Sequence, residues 1–209
     1  MPTMKVLILN GSPKDNGNTA TALAEMRRIF EDEGIEVDYV RVGHLEVRGC
    51  TGCASCFKHG KCVIDDIVNE LAEKLMECDG VVIGSPVYYA AANGTLVSLL
   101  NRLFYSTTRL DKRMKVGASI AVARRGGCTT TFDQLNRYFT ICGMPVASSQ
   151  YWNMAYGALP QETEQDAEGM QTMRTLARNM VFLMRSIQLG KEKYGLPEKE
   201  KSARTNFIR

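Results

Sequence analysis

The chain has 209 residues, 44% apolar and 23% charged, with a formal net charge of +3. That is the length and composition of one globular domain that buries a full core without staples, and the charge is too small to argue for a nucleic-acid partner. The longest apolar run, "VVIGSPVYYAAA", is broken by Gly and Pro and too short to span a membrane, and "MPTMKVLILNGS" lacks the basic n-region of a secretory signal, so a cytoplasmic, reducing compartment is expected.

Residues 4–10, "MKVLILN", form a short apolar run bounded by Gly-Ser-Pro, as in a strand buried on both faces. "NTATALAEMRRIFEDEG" follows, with Leu23, Met26 and Phe30 about one helical turn apart and Gly34 as the stop. A second strand is expected at 35–42. A second helix, "DDIVNELAEKLMECDG", opens on two acidic capping candidates and repeats Ile67, Leu71 and Leu75. "GVVIGSP" (80–86) is a third strand, and "LVSLLNRLF" a helix with Leu96, Leu99, Leu100 and Leu103 on one side. A fourth strand at 115–123 and a helix ending near Gly143 come next. "MPVASSQYW" reads as a weaker fifth strand, and a long helix over 162–189 presents Met173, Leu176, Met180, Leu183 and Ile187 inward.

Five alternations of strand and helix predict an α/β fold, a parallel sheet with helices on both faces. The flavodoxin-like order 2-1-3-4-5 is the expected topology. The domain spans 1–189, with a cysteine-rich loop at 48–66. Residues 190–209 are too polar for a core yet end in Phe207 and Ile208, an arm expected to pack on another subunit of a homodimer or homotetramer.

In such a sheet the strand-to-helix loops 10–19, 43–65, 84–95 and 123–130 share one rim. "NGSPKDNGNT" is neither a Walker loop nor a G-x-G-x-x-G fingerprint. Its small residues and hydroxyls before a helix suit a phosphate monoester, with Ser12, Asn18 and Thr19 as donors, although the same residues also make ordinary turns. "GSPVYYAAANG" leaves the third strand beside the topological switch point, where Pro86, Val87, Tyr88 and Tyr89 offer walls and backbone donors to a flat heteroaromatic ring. The plainer reading is two surface tyrosines. "ARRGG" adds Arg124, Arg125, Gly126 and Gly127, either a solvated pair or cations near the N1/C2 edge of a flavin, where they favour its reduced form.

Four of the seven cysteines, Cys50, Cys53, Cys56 and Cys62, fall in "RGCTGCASCFKHGKC" with spacing C-x2-C-x2-C-x5-C. In a reducing compartment metal binding or redox chemistry outranks disulfides. The tight spacing approaches the ferredoxin run and favours a 4Fe–4S cluster, because zinc sites more often use two separated pairs. Zinc and bare redox thiols stay open. Lys58, His59 and Lys61 would offset thiolate charge, and His59 reads as a solvated loop residue. Cys78, Cys128 and Cys142 read as small buried apolar residues.

Together "LILNGSPKDNGNT", "IGSPVYY", "RRGG…QLNRYF", the cysteine run and the ending "RTNFIR" resemble the NAD(P)H-dependent FMN reductases of the flavodoxin-like class, and more narrowly the iron–sulfur flavoproteins. The resemblance implies FMN, its phosphate on Ser12, Asn18 and Thr19 with Lys14 and Ala20 beside them, and its ring against Pro86–Tyr89 and the 124–127 turn. It also implies a cluster on the four cysteines. Because the cysteine loop leaves the second strand, which adjoins the first, that cluster is expected on the FMN rim, within one subunit or facing a neighbour's flavin.

Three functions compete at this stage. The first is an electron-transfer flavoprotein taking electrons from ferredoxin or a nicotinamide such as NAD(P)H and passing them to a small-molecule acceptor. The second is a cluster-free FMN-dependent reductase of quinones, nitro or azo compounds. The third is a non-catalytic metal-binding module. No Ser/His/Asp triad, carboxylate pair or HExxH motif supports hydrolysis.

Overall fold

The computed structural model describes residues 3–203 and 205–208. Its elements run β1 (Lys5–Asn10), α1 (Asn18–Asp32), β2 (Glu36–Arg41), α2 (Ser55–His59), α3 (Ile67–Glu77), β3 (Gly80–Tyr88), β4 (Ala91–Ala92), α4 (Gly94–Ser106), β5 (Val116–Ala123), α5 (Cys128–Thr140), β6 (Met154–Tyr156) and α6 (Ala167–Tyr194), with a 3-10 turn at Glu162–Gln165. The parallel sheet has the order β2-β1-β3-β5-β6, and the two-residue β4 doubles back antiparallel on β3. Leaving out that short return, the order is the expected 2-1-3-4-5.

Alternation along β1 explains the layers. Val6 and Ile8 join Met26, Phe30, Met173 and Met180 beneath α1 and α6, while Leu7 and Leu9 join Leu71, Leu99, Leu103 and Phe139 beneath α3, α4 and α5. Both faces of the strand are dry, as its uninterrupted apolar run requires.

Two boundaries differ from the sequence expectation. The fifth strand is not 144–152. Val146 makes one bridge to Gly117, the chain then leaves the sheet, and β6 pairs with Ala121–Ala123 only from Met154. Ser149 Oγ donates to Tyr151 O (2.6 Å) or Asn153 Oδ1 (2.8 Å), the local side-chain bonding that competes with a ladder. The last helix starts later and ends later than 162–189. Asp166 Oδ1 accepts from Gly169 N at 2.9 Å and restarts the helix after the 3-10 turn, and Gly195, at φ +75°, follows its last residue. Gly190 is carried inside it.

Candidate functional site

The carboxyl ends of β1, β3 and β5 bring three of the four unusual loops together. Gly11 N donates to Gly84 O at 2.8 Å, tying the β1 exit to β3. Ser12 and Thr19 are buried; Ser12 N donates to Asn10 Oδ1 (2.8 Å) and Lys14 N to Ser12 Oγ (3.2 Å). Gly17 precedes α1 without any side-chain cap, and the first turn holds no carboxylate. An uncapped helix start with two buried hydroxyls beside it fits a phosphate. Asn18 is partly diverted, since its Oδ1 accepts from Thr163 N at 3.1 Å, leaving only the amide nitrogen for an anion. Lys14 is exposed, and Ala20 lines a depression shared with Thr21, Gln161 and Met170.

The β3 and β5 exits interlock. Tyr89 (φ +51°) and Ala90 (φ +60°) form a left-handed reversal into β4, and Thr130 Oγ1 donates to Ala90 O at 2.7 Å. Ala92 N donates to Gln134 Oε1 at 2.9 Å. Pro86 and Val87 are half-buried; Tyr88, Tyr89, Arg124, Arg125 and Gly126 are exposed, and Gly127 packs against Val87 and Ala90. The two candidate ring-binding segments are therefore neighbours, with tyrosine and arginine side chains free at the surface.

The cysteine loop begins at this rim and then leaves it. Gly43 N donates to Asn10 O at 3.2 Å, and a β-carbon on Gly43 would fall 2.2 Å from Gly11 O. Leu45 and Val47 then pack on the core under α4, Gly49 lies over Ser98, and Arg102 reaches Arg48 O at 3.3 Å. Cys50, Cys53, Cys56 and Cys62 line one small pocket with Arg102, Tyr105 and Ser106. Arg102 stands eight residues beyond the start of α4, about 12 Å along the helix at 1.5 Å per residue. The sequence leaves two placements for the thiols, on the FMN rim of the same subunit or facing a neighbour's flavin; in this chain the apolar residues of the loop follow α4 down the sheet face and carry them away from the β1, β3 and β5 exits.

Sequence reasoning missed the wall of this pocket. Asn69 holds Cys62 through both backbone atoms (Cys62 N to Oδ1 3.0 Å, Nδ2 to Cys62 O 3.1 Å). The Phe57 ring of α2 meets Tyr105 edge-on at 5.2 Å, and Arg109 stacks over Phe57 and donates to its carbonyl at 2.7 Å. The one detectable signal was Arg102 itself, a lone charge in the apolar run "LVSLLNRLF".

Donors around Cys53, first the Ser55 N–H, then the Ser55 and Thr51 side chains, pull its thiol below the ordinary value, whereas burial pushes Cys56 up. As placed, no three His, Cys, Asp or Glu side chains among the described residues converge on a common metal position. The four thiols nonetheless share one pocket, supply a complete cysteine donor set and have a guanidinium beside Cys62, which fits an iron–sulfur centre. Lys58, His59 and Lys61 are exposed. Burial raises Cys78 and Cys128 to about 11, marking both as inert core thiols. Cys142 is half-buried and lines a cavity of about 450 Å³ with Tyr105, Tyr138 and Lys199 at the foot of α4, away from the rim.

The family model described as NADPH-dependent FMN reductase matches residues 4–158. An iron-sulfur flavoprotein of Methanocaldococcus jannaschii is 33% identical over 192 residues, spanning 88% of this chain and all of that protein. Among solved structures, RosB with a bound 8-demethyl-8-formylriboflavin-5'-phosphate intermediate matches with a TM-score of 0.70 at 19% identity, over 99% of this chain and 93% of that one. An archaeal flavodoxin matches at 0.56 and 14% identity, over 85% and 99%. At these identities the two structures speak to the flavodoxin-like fold.

Proposed function

We propose, from the premise that the chain belongs to the NADPH-dependent FMN reductase family and is a flavin-dependent oxidoreductase, that it moves electrons between FMN and a 4Fe–4S cluster held by Cys50, Cys53, Cys56 and Cys62. One observation carries this reading: four cysteines line a single pocket. The relatives' name, iron-sulfur flavoprotein, supports it. Family membership sets aside the non-catalytic metal-binding module.

When bound, FMN exchanges electrons singly or in pairs and a cluster exchanges one at a time. The residues have separable tasks. Ser12, Thr19 and the first N–H groups of α1 hold the phosphate, with the Asn18 amide as a further donor. Pro86, Val87 and the tyrosines after them orient the ring against the 124–127 turn, and Arg124 or Arg125 stabilises negative charge at its polar edge. Tyr105 and the Arg102 side chain wall the thiol pocket on its α4 side, and Phe57 braces Tyr105. A nicotinamide, NADH or NADPH, is the donor the family points to, with ferredoxin as the one-electron alternative and a small molecule as acceptor.

The thiol pocket's distance from its own rim favours a homodimer or homotetramer in which a second copy's rim faces the four cysteines. A second reading, a cluster-free NAD(P)H-dependent reductase of quinones, nitro or azo compounds, draws on the side-chain placement, in which no three metal-binding groups among the described residues converge on one position. Flavin, iron, acid-labile sulfide and zinc assays on anaerobically purified protein decide between them. FMN with matching iron and sulfide supports the first; FMN with stoichiometric zinc or no metal replaces it with the second.

A further inference from the structure

We propose that Arg102 is a positioning residue for the cysteine site, clasping the loop into place and raising the tendency of the centre to accept an electron. The inference rests on the iron–sulfur reading above.

Arg102 sits on the inner side of α4 with its side chain 1% exposed. Its two terminal nitrogens spread across both ends of the loop. Nη1 donates to Arg48 O (3.3 Å) and Asp66 Oδ2 (2.6 Å); Nη2 donates to Asp66 Oδ1 (2.9 Å), Ile64 O (3.0 Å) and Cys62 Sγ (3.3 Å). One planar fork thus pins residue 48 before the first cysteine, residue 64 after the last, and the sulfur of the last. A lysine has no such fork.

A purely structural role leaves features unexplained. Nε is buried with no partner, although every other arm of the guanidinium is engaged. An apolar side chain on this leucine-rich helix would avoid that cost, since buried ion pairs stabilise little more than well-packed apolar groups. What an apolar side chain cannot supply is a fixed positive charge and an N–H···S bond at one thiol of the four.

Reduction adds one negative charge to a centre ringed by thiolates. A guanidinium within hydrogen-bonding distance of one sulfur stabilises that added charge more than the oxidised state, so the reduced form is favoured. Without Arg102 the same electron from the same reductant is harder to place.

The test uses anaerobically prepared full-length protein in three forms: wild type, Arg102→Lys, and Arg102→Met with Asp66→Asn, which removes the ion pair without stranding a carboxylate. Asn at 66 can still cap α3. Iron and sulfide are measured first, then the reduced-to-oxidised ratio of the centre at a fixed solution potential set by dithionite and mediator dyes. The double variant should show about a tenfold lower ratio than wild type, the Lys variant a smaller fall. Trypsin cleavage at Lys58 and Lys61 in metal-free protein should quicken severalfold in both variants, a readout independent of any cluster. Iron-loaded variants with the wild-type ratio, or metal-free variants cleaved at the wild-type rate, overturn the inference. A wild type without iron overturns the iron–sulfur reading instead, and with it the redox half of this one.

Discussion

Gly127, at φ +91°, lies so close to Val87 that a β-carbon at that position would fall 2.8 Å from Val87 Cγ1 and 2.9 Å from the Ala90 backbone. The two segments proposed to hold the flavin ring are therefore fitted to each other through a residue that only glycine satisfies. Gly127→Ala pays for a left-handed backbone, about 1–2 kcal/mol, and pushes the 87–90 turn outward. Thermal melts should show a loss of at least about 1 kcal/mol, and flavin fluorescence a weaker hold on FMN. Gly126→Ala, with open space around it and an ordinary φ, is the matched control for stability and should leave the melting midpoint unchanged. Equal midpoints for the two variants would contradict the interlock.

The phosphate assignment predicts a different pattern. Ser12 and Thr19 are buried beside an uncapped helix start, so Ser12→Ala with Thr19→Ala removes two donors without filling space. A hydrogen bond to a charged group is worth roughly 1.5–3 kcal/mol, so FMN affinity should fall more than tenfold by equilibrium dialysis while the fold persists. Unchanged affinity would move the phosphate elsewhere.

Much of this was legible from sequence where burial is two-sided. β5 is buried along its whole length, and β1 and β3 along all but their ends. β6 was misplaced because it is an edge strand whose approach, Ser148–Trp152, is polar and bonds to itself. The reversal at Tyr89–Ala90 was invisible because neither residue is the glycine or asparagine that normally signals a left-handed turn. Among the site residues the loops and cysteines could be read, since spacing is local. The wall of the thiol pocket could not, because Arg102 and Tyr105 meet the cysteines only through tertiary packing.

Asp111 and Arg113 give a pH signature at the base of the arm. Arg113 Nε and Nη2 donate to the two Asp111 oxygens at 2.9 and 2.8 Å, and this pairing lowers the carboxyl to about 2. A depressed folded-state value means stabilisation that is present above the ordinary carboxylate range and lost as pH falls from about 4 towards 2. The pair is partly exposed, so its worth is below about 1 kcal/mol and shrinks in salt. The difference in melting temperature between wild type and Asp111→Asn should be small at pH 6 and narrow further as pH approaches 3. A difference that widens on acidification would reverse the sign.

The arm still touches the body at Pro197, whose carbonyl accepts from Arg113 Nη1 at 3.0 Å, and at Lys199, which lines the cavity at the foot of α4. Beyond it Phe207 and Ile208 are 90% and 84% exposed, apolar residues without cover in a single chain. Arg204 and Arg209, which belong to the same predicted arm, lie outside the described residues. Deleting 196–209 should lower the oligomer mass measured by light scattering by more than the deleted residues account for. An assembly of unchanged subunit number would deny the arm this role.

Cys53 and Cys56 separate the flavin from the cysteine site. Cys53 is exposed and Cys56, within α2, is buried, yet both line the pocket shared with Cys50 and Cys62. Cys78 and Cys128 are tied up in the core and cannot replace either. Cys53→Ala or Cys56→Ala should therefore lower iron and sulfide sharply in anaerobic preparations. FMN content should stay at the wild-type level, since the residues proposed to hold it belong to the β1, β3 and β5 exits. Reduction by a one-electron donor should fail in these variants, while hydride transfer from a nicotinamide to FMN should persist. Loss of FMN together with iron would mean that the loop supports the rim as well as the thiols, through the Gly43–Gly11 contact where the two meet.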